Sequence, residues 1–217
     1  MTHAGSHPDR HKSGLHDSVS QALLELIAEH RPSFPDLGQI ADRAGQDEQA
    51  VREVFGSVQD ILDTLAEQGL IKLFDNCLRT VTRAPHDDPV AQFGALGSAY
   101  LDWAFENPDQ FRLLQHAKLV DLEGNERLAR YIRSMHDLMI RLLNAAKEKG
   151  QIPDDADNTA ILIAGRCLLF GLARMALDGN MTEWHAGLTG YQAAHRVFEN
   201  YMETMAVANV RLTARSA

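Results

Sequence analysis

The chain has 217 residues, of which 45% are hydrophobic, so it can form one large domain or a small domain followed by a larger one. Its 21 basic and 30 acidic residues give a formal net charge of −9, which disfavours nucleic-acid binding through bulk charge and leaves room for a small basic patch. The first residues lack the apolar core of a secretory signal, and the most apolar stretch, 160–177, is interrupted by Arg166 and Arg174. We therefore expect a cytoplasmic protein without a membrane partner.

The N-terminal residues 1–14 are polar and rich in histidine, and they predict a flexible tail. The alternative is an arm that reaches into a DNA minor groove. A stripe that includes Leu15, Val19 and Leu26 then predicts a first helix over about 16–30.

The stretch 35–65 begins with the pattern of a short, well-capped helix. Asp36 can cap this helix and close a capping box with Gln39 three residues later. Gly45 can supply the left-handed turn that ends it. We therefore predict a helix over 37–44.

A second short helix follows at once. Asp47 can cap it, and Val51 and Phe55 can pack back against the first helix. We predict this helix over 48–54, with Ser57 starting a third. Two short helices joined by a glycine turn form a helix-turn-helix, in which the second helix can enter a DNA major groove.

The remainder of the chain reads as further helices without any strand-like alternation, so the predicted fold class is all-α. We predict helices over about 57–83, from after 89 to 106, around Phe111 and Leu114, and over about 125–149 and 155–178, with a last helix that starts near 182 or 187 and ends at 212. The expected domains are the tail at 1–14, a helix-turn-helix DNA-binding domain at 15–65, and a helical effector-binding and dimerisation domain at 66–217.

A family resemblance rests on the spacing of apolar residues and the turn glycine. The order of Ile40-Ala41, Ala44-Gly45, Ala50-Val51, Phe55 and Ile61-Leu62 resembles the N-terminal domain of TetR-type transcriptional regulators. The segment YLDWAFENPDQFRLL at 100–114 is similar to the part of these regulators in which an aromatic helix meets a proline and a short helix. The resemblance implies a ligand-responsive repressor that binds palindromic operator DNA as a homodimer.

The resemblance also implies which residues contact DNA. We predict Gln39, Arg43, Asp47, Glu48, Gln49, Ala50, Arg52, Glu53 and Ser57. Arg52 could read a guanine edge and Gln49 an adenine edge.

The charge of this region leaves an alternative open. Residues 17–67 contain eleven acids and three basic residues, Arg31, Arg43 and Arg52, and the family usually has an aromatic residue where Arg52 stands. Because phosphate contacts supply most non-specific affinity, we expect weak or strongly salt-sensitive DNA binding. The alternative is a scaffold that has lost DNA binding and acts as a ligand-binding or protein-interaction dimer.

The larger domain offers candidates for an effector pocket that would take a small hydrophobic or amphipathic ligand. They are Tyr100, Trp103, Phe111, His116, Met135, His136, Met139, Arg166, Cys167 and Phe170. Aromatic residues and methionines at helical spacing are also ordinary core residues. Arg166 lies on a very apolar helix and needs an anionic partner, which could be an acidic ligand or an Asp or Glu of a neighbouring helix.

The last two helices are apolar on more than one face, so they must be buried on more than one face. One face can serve the domain core and the other a symmetric dimer interface. The predicted interface residues are Leu168, Leu172, Met175, Leu188, Tyr191, Phe198 and Tyr201.

No enzymatic or metal-binding motif is found, which predicts no catalytic residues, no metal and no cofactor. The histidines at positions 30, 116, 136, 185 and 195 are scattered and are expected at the surface or satisfied in the core. Cys77 and Cys167 lie among apolar residues without metal-ligand spacing, so both are predicted to be buried free thiols.

Overall fold

The computed structural model describes residues 8–29, 35–116, 118–181, 183–184 and 187–213, with the backbone alone for 8–13, 28 and 205–213. Within these ranges every regular element is an α-helix, which confirms the all-α prediction. The helices are α1 (Pro8–Ala28), α2 (Leu37–Ala44), α3 (Glu48–Phe55), α4 (Val58–Arg83), α5 (Pro89–Glu106), α6 (Pro108–Leu114), α7 (Glu126–Glu148), α8 (Asn158–Leu177) and α9 (Gly190–Thr213). His30, Arg31, His185 and residues 1–7 of the predicted tail lie outside the described residues.

The start of α1 corrects the sequence prediction. The helix begins at Pro8, whereas the apolar stripe predicted a start near residue 16 and a tail up to residue 14. A proline suits the first turn of a helix, where its missing N–H is not needed. The stripe begins only at Leu15, so hydrophobic periodicity could not reveal the polar turns that precede it.

The chain forms two compact units. Unit 1 comprises residues 1–68 together with 113–121, and unit 2 comprises 69–112 together with 122–217. The addition of 113–121 to unit 1 was not predicted. It is supported by a hydrogen bond of 3.1 Å from Gln59 Nε2 to the carbonyl oxygen of Leu119.

Unit 1 is held together by α1 packing on α2 and α2 packing on α3. The core contains one apolar face of each helix, and the His16 ring meets the Phe55 ring edge-on with centroids 4.5 Å apart. Its buried side chains include Val19, Leu23, Leu26, Ile40, Ala41, Val51, Phe55, Ile61, Leu62 and Leu65. This core fixes the geometry of the α2–α3 turn.

Unit 2 is organised around α5, which contacts α7, α8 and α9. Gly97 allows a close approach between α5 and α9, because a Cβ atom at this position would lie 2.2 Å from Cζ of Phe198. Trp103 and Phe111 are the largest fully buried side chains of the unit.

Helix α8 is apolar and poorly covered. It is the one described helix with the length and composition to cross a membrane, and 11% of its apolar stretch is buried. Ile163 and Met175 on this helix are 58% and 40% exposed. The protomer therefore leaves apolar surface on α8 open to solvent.

The two cysteines differ in environment. Cys77 is buried on α4, as predicted, whereas Cys167 on α8 is exposed, so that part of the prediction is wrong. An all-round apolar helix has no polar face to mark which side is covered, and Cys167 lies on a side that this protomer leaves open.

Candidate functional site

The turn between α2 and α3 is built by local hydrogen bonds. Asp36 Oδ1 accepts the backbone N–H of Gln39 at 2.9 Å, and Gln39 Oε1 accepts the backbone N–H of Asp36 at 3.1 Å. Gly45 ends α2 with φ of 64°, in the left-handed region. Asp47 Oδ2 then accepts the backbone N–H of Ala50 at 3.0 Å and starts α3. These caps and the helix bounds confirm the predicted helix-turn-helix.

Helix α3 has one buried and one exposed face. Val51 and Phe55 are buried in unit 1. Of the nine predicted DNA-contacting residues, Ala50 and Ser57 are half-buried, and the other seven are exposed: Gln39, Arg43, Asp47, Glu48, Gln49, Arg52 and Glu53. The structure therefore places the polar side chains of α3 on one accessible surface.

The arginines of this surface are paired with acids of the same unit. Arg52 Nη2 lies 2.6 Å from Oε1 of Glu48, four residues earlier on α3. Gln49 Nε2 donates to Oε1 of Glu53 at 3.1 Å. Both candidate base-reading side chains are therefore already bonded to a carboxylate of the same helix.

Arg43 on α2 is paired with α1. Its Nη2 lies 2.6 Å from Glu29 Oε1, and its Nη1 lies 3.5 Å from Glu25 Oε2. The hydrogen bond with Glu29 is the main reason why the pKa of Arg43 is raised. Arg43 thus links α2 to α1 and is only partly available for a phosphate.

An open groove between α2 and α3 continues this surface. Its lining residues carry three carboxylates and one guanidinium: Asp36, Leu37, Gly38, Gln39, Asp42, Glu48 and Arg52. The charge balance of the described surface is therefore acidic, as the sequence predicted.

In unit 2, four of the predicted ligand residues form an aromatic cluster. The Trp103 and Tyr100 ring centroids lie 5.9 Å apart on α5, and each lies 6.3 Å from the Phe111 centroid. Phe170 on α8 lies 6.0 Å from Phe111. The structure thus brings four of the ten predicted ligand residues into one aromatic cluster.

Two of these aromatic residues carry a polar atom, and that of Trp103 is fully buried. Trp103 is 1% exposed, and its Nε1 has no hydrogen-bond partner among the described residues. Burial raises the pKa of Tyr100 to about 12, while the positive charge of Arg166 acts in the opposite direction. The cluster is therefore apolar in its walls and contains neutral donors.

The other predicted ligand residues lie elsewhere. Met135 and Met139 pack against a separate cluster that contains Cys77, Leu96, Ala99 and Leu142. His136 and Cys167 are exposed, and His116 belongs to the part of the chain grouped with unit 1. Sequence spacing placed Met135, His136, Met139 and Cys167 on helices without showing which way each side chain points, and His116 lies after the end of α6.

Arg166 departs from one expectation. Its side chain is exposed, and among the described residues it forms no ion pair. The described residues therefore do not supply the predicted Asp or Glu partner. Because α8 is poorly covered, water can solvate the guanidinium.

A polar contact between α5 and α9 was missed. Tyr191 Oη donates a hydrogen bond of 2.7 Å to Asp102 Oδ1, and this bond is the main reason why the pKa of Tyr191 is raised to about 12. His195 Nε2 lies 3.0 Å from the same oxygen without hydrogen-bond geometry. Two features of the sequence could have predicted this contact. Tyr191 and His195 are four residues apart and so lie on one face of α9, and the apolar helix α5 contains a single Asp.

The predicted interface residues divide into two groups. Leu172 and Phe198 are buried within unit 2, so their side chains serve the protomer core. Met175 and Tyr191 are exposed, and Leu168, Leu188 and Tyr201 are half-buried. The surface that remains open also includes Ile163, Phe170 and Val197.

A family model described as Tetracyclin repressor-like, C-terminal domain matches residues 93–205, more than half of the 217-residue chain. The chain belongs to the TetR family. It is a transcription regulator of the TetR type, with an N-terminal helix-turn-helix and a helical C-terminal domain. Among the described residues no group of His, Cys, Asp and Glu is placed to hold a metal ion.

Solved structures share this TetR fold at low sequence identity. A TetR family transcription regulator from Marinobacter aquaeolei is 16% identical, with 93% of this chain and 97% of that chain covered and a TM-score of 0.69. A protein of unknown function from Rhodococcus sp. is 22% identical, with 94% and 97% covered and a TM-score of 0.68. The regulator FadR from Bacillus subtilis, in complex with stearoyl-CoA, is 13% identical, with 84% and 95% covered and a TM-score of 0.66. No curated protein matches the chain.

Proposed function

We propose that this TetR-family regulator is a cytoplasmic, non-enzymatic repressor that binds a palindromic operator as a homodimer and responds to a small hydrophobic or amphipathic ligand. The observation that carries the proposal is the exposed polar face of α3 within an intact helix-turn-helix. On this face Arg52 has the donors that read a guanine edge, and the Gln49 amide has the donor and the acceptor that read an adenine edge.

The dimer part of the proposal rests on α8. Its open apolar surface, together with Tyr191 and Val197 of α9, suits a symmetric interface between two protomers. Two recognition helices would then meet half-sites one helical turn apart, or a multiple of that spacing.

The ligand part rests on the aromatic cluster of Tyr100, Trp103, Phe111 and Phe170. The stearoyl-CoA complex of FadR is an example of an amphipathic ligand on this fold. Helix α4 is continuous from unit 1 into unit 2, so a ligand that shifts it would change the state of the helix-turn-helix.

The test is selection of random duplex DNA by the purified protein, at low salt and near physiological salt. An enriched palindrome that survives both conditions supports the proposal and supplies the operator. If a folded, dimeric sample enriches nothing at either salt concentration, with or without the ligands that it binds, the operator-binding proposal is overturned.

The second candidate is a dimer that binds ligand or protein and no longer binds DNA. It is favoured by the pairing of Arg52 with Glu48 and of Arg43 with Glu29, which leaves an acidic surface. The same selection experiment separates the two candidates, because only the first yields a sequence motif.

A further inference from the structure

The strongest unexplained feature of unit 2 is a buried donor without an acceptor. Trp103 is 1% exposed, and its Nε1–H meets no acceptor among the described residues. A buried tryptophan N–H normally finds a partner, because an unpaired one has lost its hydration without replacement. The missing partner is therefore an acceptor that the described residues do not supply.

Two further groups of unit 2, Tyr100 and Arg166, are also donors. The Tyr100 ring lies 5.9 Å from the Trp103 ring, and its hydroxyl forms no hydrogen bond among the described residues. This phenol is neutral at physiological pH, and burial raises its pKa further, to about 12. Arg166 acts on the same phenol electrostatically and has no ion-pair partner in the described parts of the chain.

The walls around these donors are aromatic. Phe111 lies 6.3 Å from both Tyr100 and Trp103, and Phe170 lies 6.0 Å from Phe111. A ligand that satisfies all these groups needs an apolar body for the rings and an anionic acceptor for the donors. An amine would place its charge beside Arg166, and an alcohol would form no ion pair with it.

We infer that the aromatic cluster binds a hydrophobic carboxylate, whose oxygens accept from Trp103 Nε1–H and Tyr100 Oη–H and whose charge is balanced by Arg166. This inference rests on the proposed ligand-binding role of unit 2 and names the chemical class of that ligand. Trp103 and Tyr100 select for an acceptor, and Arg166 selects for negative charge.

Two tryptophans of different exposure make the site measurable. Trp184 is 82% exposed, so Trp184→Phe leaves Trp103 as the single, buried reporter. We would titrate this variant with 4-butylbenzoate, 4-butylbenzyl alcohol and 4-butylbenzylamine, following Trp103 emission and, in parallel, the heat of binding. These probes share one apolar body and differ in the head group.

The expected result is saturable binding of 4-butylbenzoate with a change in Trp103 emission, about tenfold weaker binding of the alcohol, and weaker binding still of the amine. Arg166→Gln should weaken carboxylate binding by about tenfold and leave alcohol binding unchanged. Arg174→Gln is the matched control, because Arg174 lies on the same helix and is already paired with Asp178. Trp103→Phe, measured by heat of binding, should weaken carboxylate binding by about three- to tenfold.

The inference is overturned if the carboxylate and the alcohol bind equally, if no probe binds, or if Arg166→Gln and Arg174→Gln have the same effect. Carboxylate binding unchanged by Trp103→Phe would mean that a buried water satisfies Nε1, and this too overturns it. DNA selection is scored separately. An enriched operator without carboxylate preference would leave the proposed regulator intact and remove the ligand class alone.

Discussion

Arg52 and Glu48 form an ion pair of 2.6 Å on the exposed face of α3, the second helix of the helix-turn-helix. Both side chains are about half exposed, at 53% and 51%, so solvent screens the pair and its contribution to stability is small. In the proposed DNA complex Arg52 would therefore exchange Glu48 for a phosphate or a base at low cost, and Glu48 would remain beside the DNA as a negative charge.

The first prediction concerns Glu48→Gln. The substitution frees Arg52 and removes one charge that repels phosphate, so non-specific DNA affinity at low salt should rise by about tenfold and the salt dependence should steepen by about one unit of slope. Fluorescence anisotropy with a random duplex at several salt concentrations measures both. Asp154→Asn changes the net charge equally at an exposed position between α7 and α8 and should have little effect. Identical behaviour of the two variants would assign the effect to net charge alone.

The second prediction concerns Arg52→Ala. If Arg52 reads a guanine edge, its loss should lower operator affinity by about 1–3 kcal/mol and relax base preference at one position of each half-site. Repeating the DNA selection with this variant provides the measurement. An unchanged motif would exclude Arg52 from base reading.

The third prediction concerns the capping box at the start of α2. Asp36→Ala removes the acceptor of the Gln39 backbone N–H and should lower the free energy of unfolding by about 0.5–2 kcal/mol. Urea unfolding followed by circular dichroism measures the change. Asp42→Ala, at an exposed position on the same helix, removes the same charge without a capping bond and should not destabilise the protein. Equal losses in both variants would contradict a specific capping role.

Local chemistry explains why the helix-turn-helix could be predicted closely from the sequence. Asp36, Gln39, Gly45 and Asp47 act on backbone groups within a few residues, so each can be recognised without knowing the fold. In the larger domain, the helical spacing of apolar residues was sufficient to predict the order of the helices.

Side-chain direction explains most of what could not be predicted. Tyr100, Trp103 and Phe111 converge, whereas His136 and Cys167 point to solvent from helices that are equally apolar or periodic. Which face of a helix is covered depends on its neighbours, and this information is absent from a single helical period.

The fourth prediction concerns Gly97→Ala. The added Cβ would lie 2.2 Å from Phe198 Cζ, so α5 and α9 must separate or Phe198 must change rotamer, at a cost of about 1–3 kcal/mol. Thermal unfolding should show a lower midpoint. Gly14→Ala is the matched control, because this α1 glycine has no heavy atom within 4 Å of the added Cβ and the alanine should stabilise the helix by about 0.5–1 kcal/mol. An unchanged midpoint for Gly97→Ala would contradict the close approach.

The fifth prediction concerns the thiols. Burial raises the pKa of Cys77 from 9.0 to about 12, so its thiolate is suppressed and a thiol reagent at pH 8 should modify Cys167 alone in the native protein. Both thiols should react in denaturant, and Cys167→Ser should abolish the native reaction. Equal native rates for both thiols would contradict the burial of Cys77.

The raised pKa of Cys77 also determines the direction in which the stability of the protein changes with pH. Above pH 9.0 the unfolded Cys77 loses its proton while the folded one keeps it, so unfolding becomes more favourable as the pH rises towards about 12. The contribution is fully present below pH 9.0. Comparing Cys77→Ala with the parent protein in urea at neutral and alkaline pH measures it, and the variant should lose less stability between the two.

The open apolar face of α8 has a consequence for the amount of active protein in a cell. A single chain whose α8 is exposed to water is prone to non-specific association. A partner that binds over this helix increases the population of folded chains. If a second copy of the chain covers α8, the concentration of covered chains rises more steeply than the total concentration of chains. Halving expression would then lower the concentration of covered chains by more than half.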